Sequence, residues 1–280
     1  MLVLEFLAVI FLVSILAGAF GSIIGVGGGV VIIPVLTLFL GVDVHFAIGA
    51  SIIAIIGTSS GAASTYVKDR VTNLRVGMFL EIATASGAIV GAAVAAYVNS
   101  VALEALFGSI LLVMLIPSVM KIGEEIPPSS ELRGLSKRLG LTGAYAEPDG
   151  RVVTYNATNP EAGFFGMAVA GMLSGLLGIG AGAFKVLSMD LAMKLPMKVS
   201  TTTSTFMIGV TAAASAGIYF ARGDVVPLIV APVVLGILLG AAIGARLLLR
   251  LSNPTVRKLF VLLLGVTAVQ MILRALGVGI

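Results

Sequence analysis

The sequence predicts an all-α membrane protein with about ten transmembrane segments, arranged as two inverted five-segment repeats with broken helices at glycine-rich stretches. Three observations predict this fold: the composition, the spacing of uncharged blocks, and a glycine pattern that occurs twice. Of the 280 residues, 59% are hydrophobic and 11% are charged, whereas a typical soluble domain is about 25% charged. Such a chain is expected to cross a lipid bilayer many times.

The same composition excludes several kinds of site. The chain has no cysteine and one histidine, so disulfides, thiolate metal sites and histidine-cluster metal sites are excluded. No G-x-x-x-x-G-K-[ST] motif is present, which argues against an ATP-driven pump in one chain. The few titratable side chains show no nucleophile–base pair, so neither an enzymatic activity nor a cofactor is predicted.

Uncharged or nearly uncharged blocks mark the segments in chain order. A membrane span needs about 20 residues to cross ~30 Å of hydrocarbon. Most of the blocks fit: 2–24, 46–67, 76–98, 101–120, 162–177, 199–221, 225–245 and 255–276. Two blocks, 30–42 and 183–193, are too short to cross unaided, and each follows a glycine-rich break. The N-terminus lacks a basic stretch and is therefore predicted to be a first membrane helix rather than a cleaved signal peptide.

Basic residues predict the orientation in the cytoplasmic membrane. With ten segments, fourteen Lys and Arg fall on one side and only Arg222 and Arg274 fall on the other. Because positive charge is retained in the cytoplasm, both termini are predicted to lie outside and the loop 121–161 inside. The net charge of +4 is explained in the same way, and nucleic-acid binding is not expected.

The loop 121–161 is the only stretch that reads as soluble. Within it, "SSELRGLSKRLGL" predicts a short amphipathic helix, and "AYAEPDGRVVTY" predicts a β-hairpin that turns at Pro-Asp-Gly. The loop is either a linker between the two halves or a regulatory or partner-binding cap.

An internal repeat divides the chain into a first transmembrane repeat (1–120), the cytoplasmic insert (121–161) and a second transmembrane repeat (162–280). "GSIIGVGGGVVIIP" matches "SGLLGIGAGAFKVL" at an offset of 153 residues, and "GAIVGAA" matches "GAAIGAR" at the same offset. Because five crossings is an odd number, the second copy is predicted to be inverted. Inverted repeats are typical of transporters whose substrate binds near the midplane at broken helices.

The two glycine-rich breaks are the first candidate for a binding site. Irregular backbone at membrane depth persists only where it lines a cavity or is covered by protein, and glycine lets a ligand approach the backbone closely. A short helix is predicted after each break, and its N-terminal amides attract an anion. Tight helix packing is the alternative use of these glycines. The candidate substrate-binding glycines are Gly25, Gly27, Gly28, Gly29, Gly178, Gly180 and Gly182.

These motifs resemble those of the TauE/SafE sulfite exporter family of bacterial and archaeal membrane permeases. The resemblance is carried by "GSIIGVGGGVVIIPVL", "GASIIAIIGTSSG", "SGLLGIGAGAFKVLSMDLAMKLPMKVSTTTSTFMIGVTA" and "YFARGDVVPLIVAPVVLGILLGAAIGARL", and it covers nearly the whole chain except 121–161. It implies efflux of sulfite or of small organosulfur or sulfonate anions. One departure is Ala181, which stands where the first motif has Gly28, so the two breaks need not play equal roles.

Polar side chains inside the segments complete the candidate site. Lys185 is the only basic residue deep inside a segment. It pairs with the anionic substrate, or it pairs with Asp190 or snorkels toward an interface. Hydroxyl groups can bind oxyanion oxygens, or they can bond their own helix backbone. The candidate hydroxyls are Ser51, Thr58, Thr201, Thr202 and Ser204.

Glu81 and Asp190 are candidate proton-coupling groups because carboxylates within membrane segments are rare and are functional candidates by default. The alternative for Glu81 is an ion pair with a basic residue of a loop. The alternative for Asp190 is an ion pair with Lys194, four residues further along the chain.

The sequence therefore predicts a secondary transporter that exports a small sulfur-containing oxyanion, coupled to protons. Two alternatives remain open at this point: an anion channel of the same architecture, and a non-transporting membrane scaffold whose working part is the insert 121–161. The expected partners are the substrate anion and the lipid bilayer, and a homo-oligomer is compatible with the sequence.

Overall fold

The computed structural model describes residues 3–95, 97–120, 132, 134–147, 150–178 and 180–275. Within these ranges the chain is mostly helical, and the helices match the ten uncharged blocks to within a few residues. The helices are α1 (Val3–Ile24), α2 (Gly29–Pro34), α3 (Val44–Lys68), α4 (Leu74–Ala95), α5 (Ser100–Met120), α6 (Gly134–Leu139), α7 (Pro160–Leu177), α8 (Gly182–Leu187), α9 (Met197–Ala221), α10 (Pro227–Arg250) and α11 (Asn253–Ala275).

Six helices of the described chain are long and apolar enough to cross a bilayer: α1, α3, α4, α7, α9 and α10. Their outward faces carry large apolar side chains; Met78 is 67% exposed and Phe165 is 72% exposed. An apolar surface of this extent is unfavourable in water but is solvated by lipid tails. The chain is therefore a multi-pass membrane protein.

Two helical segments are too short to cross the membrane. Each starts at a glycine break and ends in a π-helical turn: α2 continues into Val35–Phe39, and α8 continues into Ser188–Ala192. Such a segment is about 16 Å long at ~1.5 Å per residue, roughly half of the hydrocarbon thickness. These are the two short blocks that the sequence singled out.

The two halves of the chain make matching contacts. Helix α1 packs on α10 in the same way that α4 packs on α7. The hydroxyl of Tyr66 donates to the carbonyl of Ser22 at 2.9 Å, and the hydroxyl of Tyr219 donates to the carbonyl of Gly175 at 2.5 Å. Since these two pairs differ by the same 153 residues, the sequence repeat reappears as a repeated set of tertiary contacts.

The predicted β-hairpin is confirmed. Strands β1 (Thr142–Ala146) and β2 (Val152–Asn156) pair antiparallel, with Thr142 opposite Asn156. Pro148 and Asp149 of the predicted turn lie outside the described residues. The predicted amphipathic helix is described only over α6, since residues 129–131 and 133 also lie outside them.

The hairpin is docked on the helices by buried polar contacts. The side-chain amide of Asn253, at the start of α11, donates to Glu147 at 2.5 Å and to the hydroxyl of Tyr145 at 2.9 Å. Glu147 also forms an ion pair with Lys198, at the start of α9, at 3.4 Å. Glu147 and Lys198 are both nearly inaccessible to solvent, so the hairpin is packed against the ends of these helices.

Candidate functional site

The two glycine breaks meet inside the protein. Gly25 and Gly27 have φ angles of 77° and 75°, and Gly178 and Gly180 have φ angles of 65° and 72°. This left-handed region favours glycine because it has no Cβ. A Cβ on Gly182 would overlap the carbonyl oxygen of Gly25. The crossing of the breaks therefore depends on glycine at these positions.

Two serines related by the repeat stabilise the crossing. The hydroxyl of Ser51 donates to the carbonyl of Gly178 at 2.8 Å, and that of Ser204 donates to the carbonyl of Gly25 at 2.7 Å. Ser204 also lies 3.2 Å from the carbonyl oxygen of Gly182. Carbonyls at a helix break lack helical partners, and each half of the chain supplies a hydroxyl to the break of the other half.

Most of the amides of the first break are already hydrogen-bonded. The N–H groups of Gly25, Val26 and Gly27 all donate to the carbonyl of Gly21, at 3.0 to 3.3 Å. The N–H of Gly28 lies 3.4 Å from the hydroxyl of Thr58. These four amides are therefore engaged within the protein, and an anion could reach them only by displacing those contacts.

Two isoleucines, Ile55 and Ile208, cover both breaks and are also 153 residues apart. A Cβ on Gly27 would lie 2.8 Å from Cδ1 of Ile208 and 3.3 Å from Cγ1 of Ile55, and a Cβ on Gly180 would lie 3.2 Å from Cδ1 of Ile55. Both isoleucines are fully buried. Sequence reasoning missed them because an isoleucine in an apolar segment carries no signal that distinguishes it from ordinary core.

Lys185 belongs to a buried cluster with Glu81 and Thr211. Its Nζ lies 3.9 Å from Oε2 of Glu81. The hydroxyl of Thr211 accepts a hydrogen bond from Lys185 and donates to Oε1 of Glu81 at 2.6 Å. The alternative that pairs Lys185 with Asp190 is therefore wrong, and so is the alternative that pairs Glu81 with a basic residue of a loop.

The cluster is closed to solvent and incompletely satisfied. Lys185 is 0% exposed and Glu81 is 8% exposed. Within the described part of the chain, Oε2 of Glu81 has no hydrogen-bond partner. Its contact with Lys185 at 3.9 Å is an ion pair without a hydrogen bond, so this carboxylate oxygen keeps the capacity to accept one.

Asp190 has a different partner from either of those considered. Its two carboxylate oxygens each accept a hydrogen bond from the guanidinium of Arg257, both at 2.9 Å, and both residues are buried. The alternative with Lys194 is therefore wrong. This bidentate pair joins the segment after α8 to α11, and it favours a structural role for Asp190 over a role in proton coupling.

One face of α9 carries two of the predicted hydroxyls, Thr201 and Ser204, together with Thr211 of the ion cluster. Residues spaced by three or four positions lie on the same helical face, and on this face they are Thr201, Ser204, Ile208, Thr211 and Ser215. The hydroxyl of Thr201 is buried and has no hydrogen-bond partner among the described residues, and its Cγ2 would lie 2.9 Å from a Cβ on Gly25. The corresponding face of α3 is less polar, with Ile48, Ser51, Ile55, Thr58 and Ala62.

Other predicted site residues contact backbone or fill space. Thr202 donates to the carbonyls of Val71 and Val199, at 3.3 and 3.2 Å, so it faces the α3–α4 connection rather than the breaks. The hydroxyl of Thr58 donates to its own helix, at the carbonyl of Ala54. At Gly29, an added Cβ would collide with the hydroxyl of Ser51.

Comparison with known proteins identifies the family. The model of the family described as Sulfite exporter TauE/SafE matches residues 10–271. "Probable membrane transporter protein YunE" of Bacillus subtilis (strain 168) is 27% identical over 272 residues, which is 94% of this chain and 96% of that protein. "Probable membrane transporter protein YdhB" of the same organism is 26% identical over 243 residues, which is 85% of this chain and 88% of that protein. No solved structure matches the chain significantly. Because the family model spans nearly the whole chain, this protein is a membrane transporter that belongs to the TauE/SafE sulfite exporter family.

Proposed function

We propose that this transporter exports a small sulfur oxyanion, of the sulfite or organosulfonate class, across the cytoplasmic membrane together with a proton. The observation that carries the proposal is the buried cluster of Glu81, Thr211 and Lys185. Lys185 is a fully buried cation, and such a group inside a membrane protein needs an anionic partner. It lies in α8, only three residues after Gly182, and therefore beside the crossed breaks.

The proposed scaffold is a pair of inverted repeats of five segments, 1–120 and 162–280, with the insert 121–161 in the cytoplasm and both termini outside. The support for it is the constant offset of 153 residues, which recurs in contacts as well as in sequence, as at Ser51 and Ser204. Inverted repeats place the substrate site near the bilayer midplane, and the crossed breaks then provide that site.

The two repeats contribute unequally to the proposed site. Thr58 of the first repeat corresponds to Thr211, but the positions that correspond to Lys185 and Glu81 hold Ile32 and Val234. The ionisable cluster therefore has no counterpart at the repeat-related positions. We assign the anion to this cluster, which joins Glu81 of the first repeat to Lys185 and Thr211 of the second, and to the hydroxyls on the same face of α9.

Proton coupling follows from competition for Lys185. An oxyanion substrate and the Glu81 carboxylate both carry negative charge, and both can accept from Lys185 and Thr211. Protonation of Glu81 neutralises it and makes Lys185 available to the substrate, whereas loss of that proton returns Lys185 to Glu81. The proton and the anion therefore favour each other's binding, and by linkage they move in the same direction.

Efflux from proteoliposomes tests the substrate class. Vesicles are loaded in turn with sulfite, thiosulfate, sulfoacetate, taurine, sulfate or methanesulfonate. We expect saturable efflux of sulfite or of the sulfonates, and faster efflux when the vesicle interior, the face equivalent to the cytoplasm, is acidic. Methanesulfonate stays ionised across this range, so its response to pH reports on the protein. Flux that does not saturate would indicate a channel instead.

Variants of the cluster test the mechanism. Glu81→Gln should still bind the substrate but lose the pH dependence of flux. Lys185→Ala should lower affinity for the anion by roughly 1–3 kcal/mol, the range for hydrogen bonds to charged groups. Thr211→Val should weaken transport, and Thr211→Ser, which keeps the hydroxyl, is its matched control. If the double variant Glu81→Gln/Lys185→Met keeps the flux and pH response of the native protein, the cluster is structural and the proposed mechanism is wrong.

A further inference from the structure

A second basic site lies away from the glycine breaks, between the α3–α4 connection and the β-hairpin. A cavity of about 280 Å³ opens there, and its walls include the side chains of Arg70 and Arg75 together with Asn73 and Tyr155. None of the described residues that line it is acidic. The cavity therefore concentrates positive charge next to the ends of α3 and α4, two helices long enough to span the membrane.

The wall of this cavity is held in place by buried hydrogen bonds. The side-chain amide of Asn73 donates to the hydroxyl of Tyr155 at 3.1 Å and to the carbonyl of Thr142 at 3.2 Å. Burial raises the pKa of Tyr155, so this phenol stays neutral while it accepts the hydrogen bond from Asn73. The hairpin and the α3–α4 connection thus form one fixed surface below the two arginines.

Arg70 adopts a backbone conformation that is unfavourable for a residue with a Cβ. It follows the end of α3 with a φ of 56°, in the left-handed region that usually holds glycine after a helix. The second repeat has Gly223 at the equivalent position, with a φ of 79°. Basic residues orient a membrane protein wherever they lie in a cytoplasmic loop. Orientation therefore does not require an arginine at this strained position.

The guanidinium groups have capacity to bind a ligand. Among the described residues, Arg70 forms neither an ion pair nor a side-chain hydrogen bond, and Arg75 makes one long hydrogen bond to the carbonyl of Gly140, at 3.4 Å. Each guanidinium has five N–H donors in a planar array that matches the oxygens of phosphate or carboxylate groups. Retention of a strained residue at a ligand-facing position is typical of functional sites.

We propose that Arg70 and Arg75 form a site for a phosphate-type oxyanion at the membrane surface. The phosphate belongs either to the headgroup of an anionic phospholipid or to a dissolved ion, since both present the same oxygens to the arginines. Its occupation links Arg70, after α3, to Arg75 of α4, which already reaches the carbonyl of Gly140 in the turn before β1. This site is independent of the transported substrate and of the cluster around Lys185.

The full chain in phosphatidylcholine nanodiscs provides the test, with two probes. One probe is inorganic phosphate, compared with chloride at equal ionic strength, and the other is phosphatidylglycerol mixed into the nanodisc. We expect at least one probe to raise the melting temperature and to slow hydrogen exchange in Thr142–Ala146. A response to phosphatidylglycerol alone assigns the site to lipid, and a response to phosphate assigns it to a dissolved anion.

Arginine variants make the test specific. Arg70→Gly should raise the melting temperature without a probe, because it relieves the left-handed strain, and yet weaken the response to the probe by roughly tenfold or more. Arg75→Gln should weaken the response without that rise, and Arg250→Gln, another exposed arginine at a helix end, should leave the response unchanged. The proposal fails if neither probe affects the native protein, if Arg70→Gly/Arg75→Gln responds normally, or if Arg250→Gln abolishes the response equally.

Discussion

Ala181 holds a strained backbone conformation at the second glycine break. Its φ and ψ are 43° and 30°, in the left-handed region, whereas its counterpart Gly28 has an ordinary right-handed conformation with φ of −57°. The sequence indicates that the two breaks differ at this position. In the structure the alanine holds the strained left-handed conformation, and the glycine holds an ordinary helical one. Gly28 is closely packed: a Cβ there would lie 2.7 Å from Cδ1 of Ile237, which would have to shift.

Replacement of Ala181 by glycine is expected to stabilise the protein. A left-handed conformation costs a residue with a Cβ roughly 1–2 kcal/mol, and the greater entropy of glycine in the unfolded chain offsets about half of this. We therefore expect Ala181→Gly to raise the free energy of unfolding by about 1 kcal/mol, measured by thermal unfolding in detergent. Ala183→Gly, in the regular helix α8 two residues on, is the control and should lower stability; a lower melting temperature for Ala181→Gly would contradict the strain.

Charged residues inside the membrane segments can be identified as candidates from the sequence alone. Glu81, Lys185 and Asp190 stood out because charges are rare in these segments, and all three prove to be buried and paired. Their partners could not be read from the sequence. Helical spacing favours partners three or four positions away, whereas Glu81 lies 130 positions from Thr211 and Asp190 lies 67 positions from Arg257. Only the packing of the helices brings these groups together.

Helix α9 presents a polar face that is interrupted once. Thr201 and Ser204 lie beside the breaks on this face, and Thr211 lies at the ion cluster, with the buried side chain of Ile208 between them. An apolar constriction between polar stretches is a barrier to ions because water is excluded from it. In the proposed function, Ile208 and its counterpart Ile55 keep the pathway closed until the helices move.

The variant Ile208→Thr tests this role of α9. Threonine keeps the branched shape but adds a hydroxyl, so the polar face becomes continuous from Ser204 to Thr211. We expect downhill methanesulfonate flux to rise and to lose its dependence on pH, measured in proteoliposomes. Ile10→Thr, at an equally buried isoleucine of α1, is the control and should leave coupling intact. If Ile208→Thr keeps fully pH-dependent flux, the barrier lies elsewhere.

Element boundaries were the most predictable level of this structure. Uncharged blocks and glycine breaks located the helices because burial in lipid or protein requires long apolar runs, and the Pro-Asp-Gly signal located the hairpin. The π-helical turns after α2 and α8 were not predicted, since they depend on tertiary packing and leave no pattern in the sequence. The docking of the hairpin through Glu147, Lys198 and Asn253 was missed for the same reason.

The whole molecule is organised by the offset of 153 residues, and two exposed positions related by that offset test the proposed inversion of the second copy. Tyr97 follows α4, and Arg250 ends α10 at the corresponding position of the other repeat; both are exposed, Tyr97 by 90%. In parallel repeats these two positions face the same side of the membrane, and in inverted repeats they face opposite sides. We expect the Arg250 end to face the cytoplasm, because basic residues are in excess near it.

Single-cysteine labelling distinguishes the two arrangements, and the absence of native cysteine leaves no background. We expect Tyr97→Cys to react with a membrane-impermeant maleimide in intact cells and Arg250→Cys to react only after permeabilisation. Val152→Cys, on an exposed position of the hairpin, should behave like Arg250→Cys and marks the cytoplasmic side; Ser136 is unsuitable because it is only 2% exposed. If Tyr97→Cys and Arg250→Cys react from the same side, an even number of crossings separates these two positions and the repeats are parallel. Both breaks would then enter from the same face of the membrane. An alternating-access mechanism based on inverted symmetry would not apply to this protein.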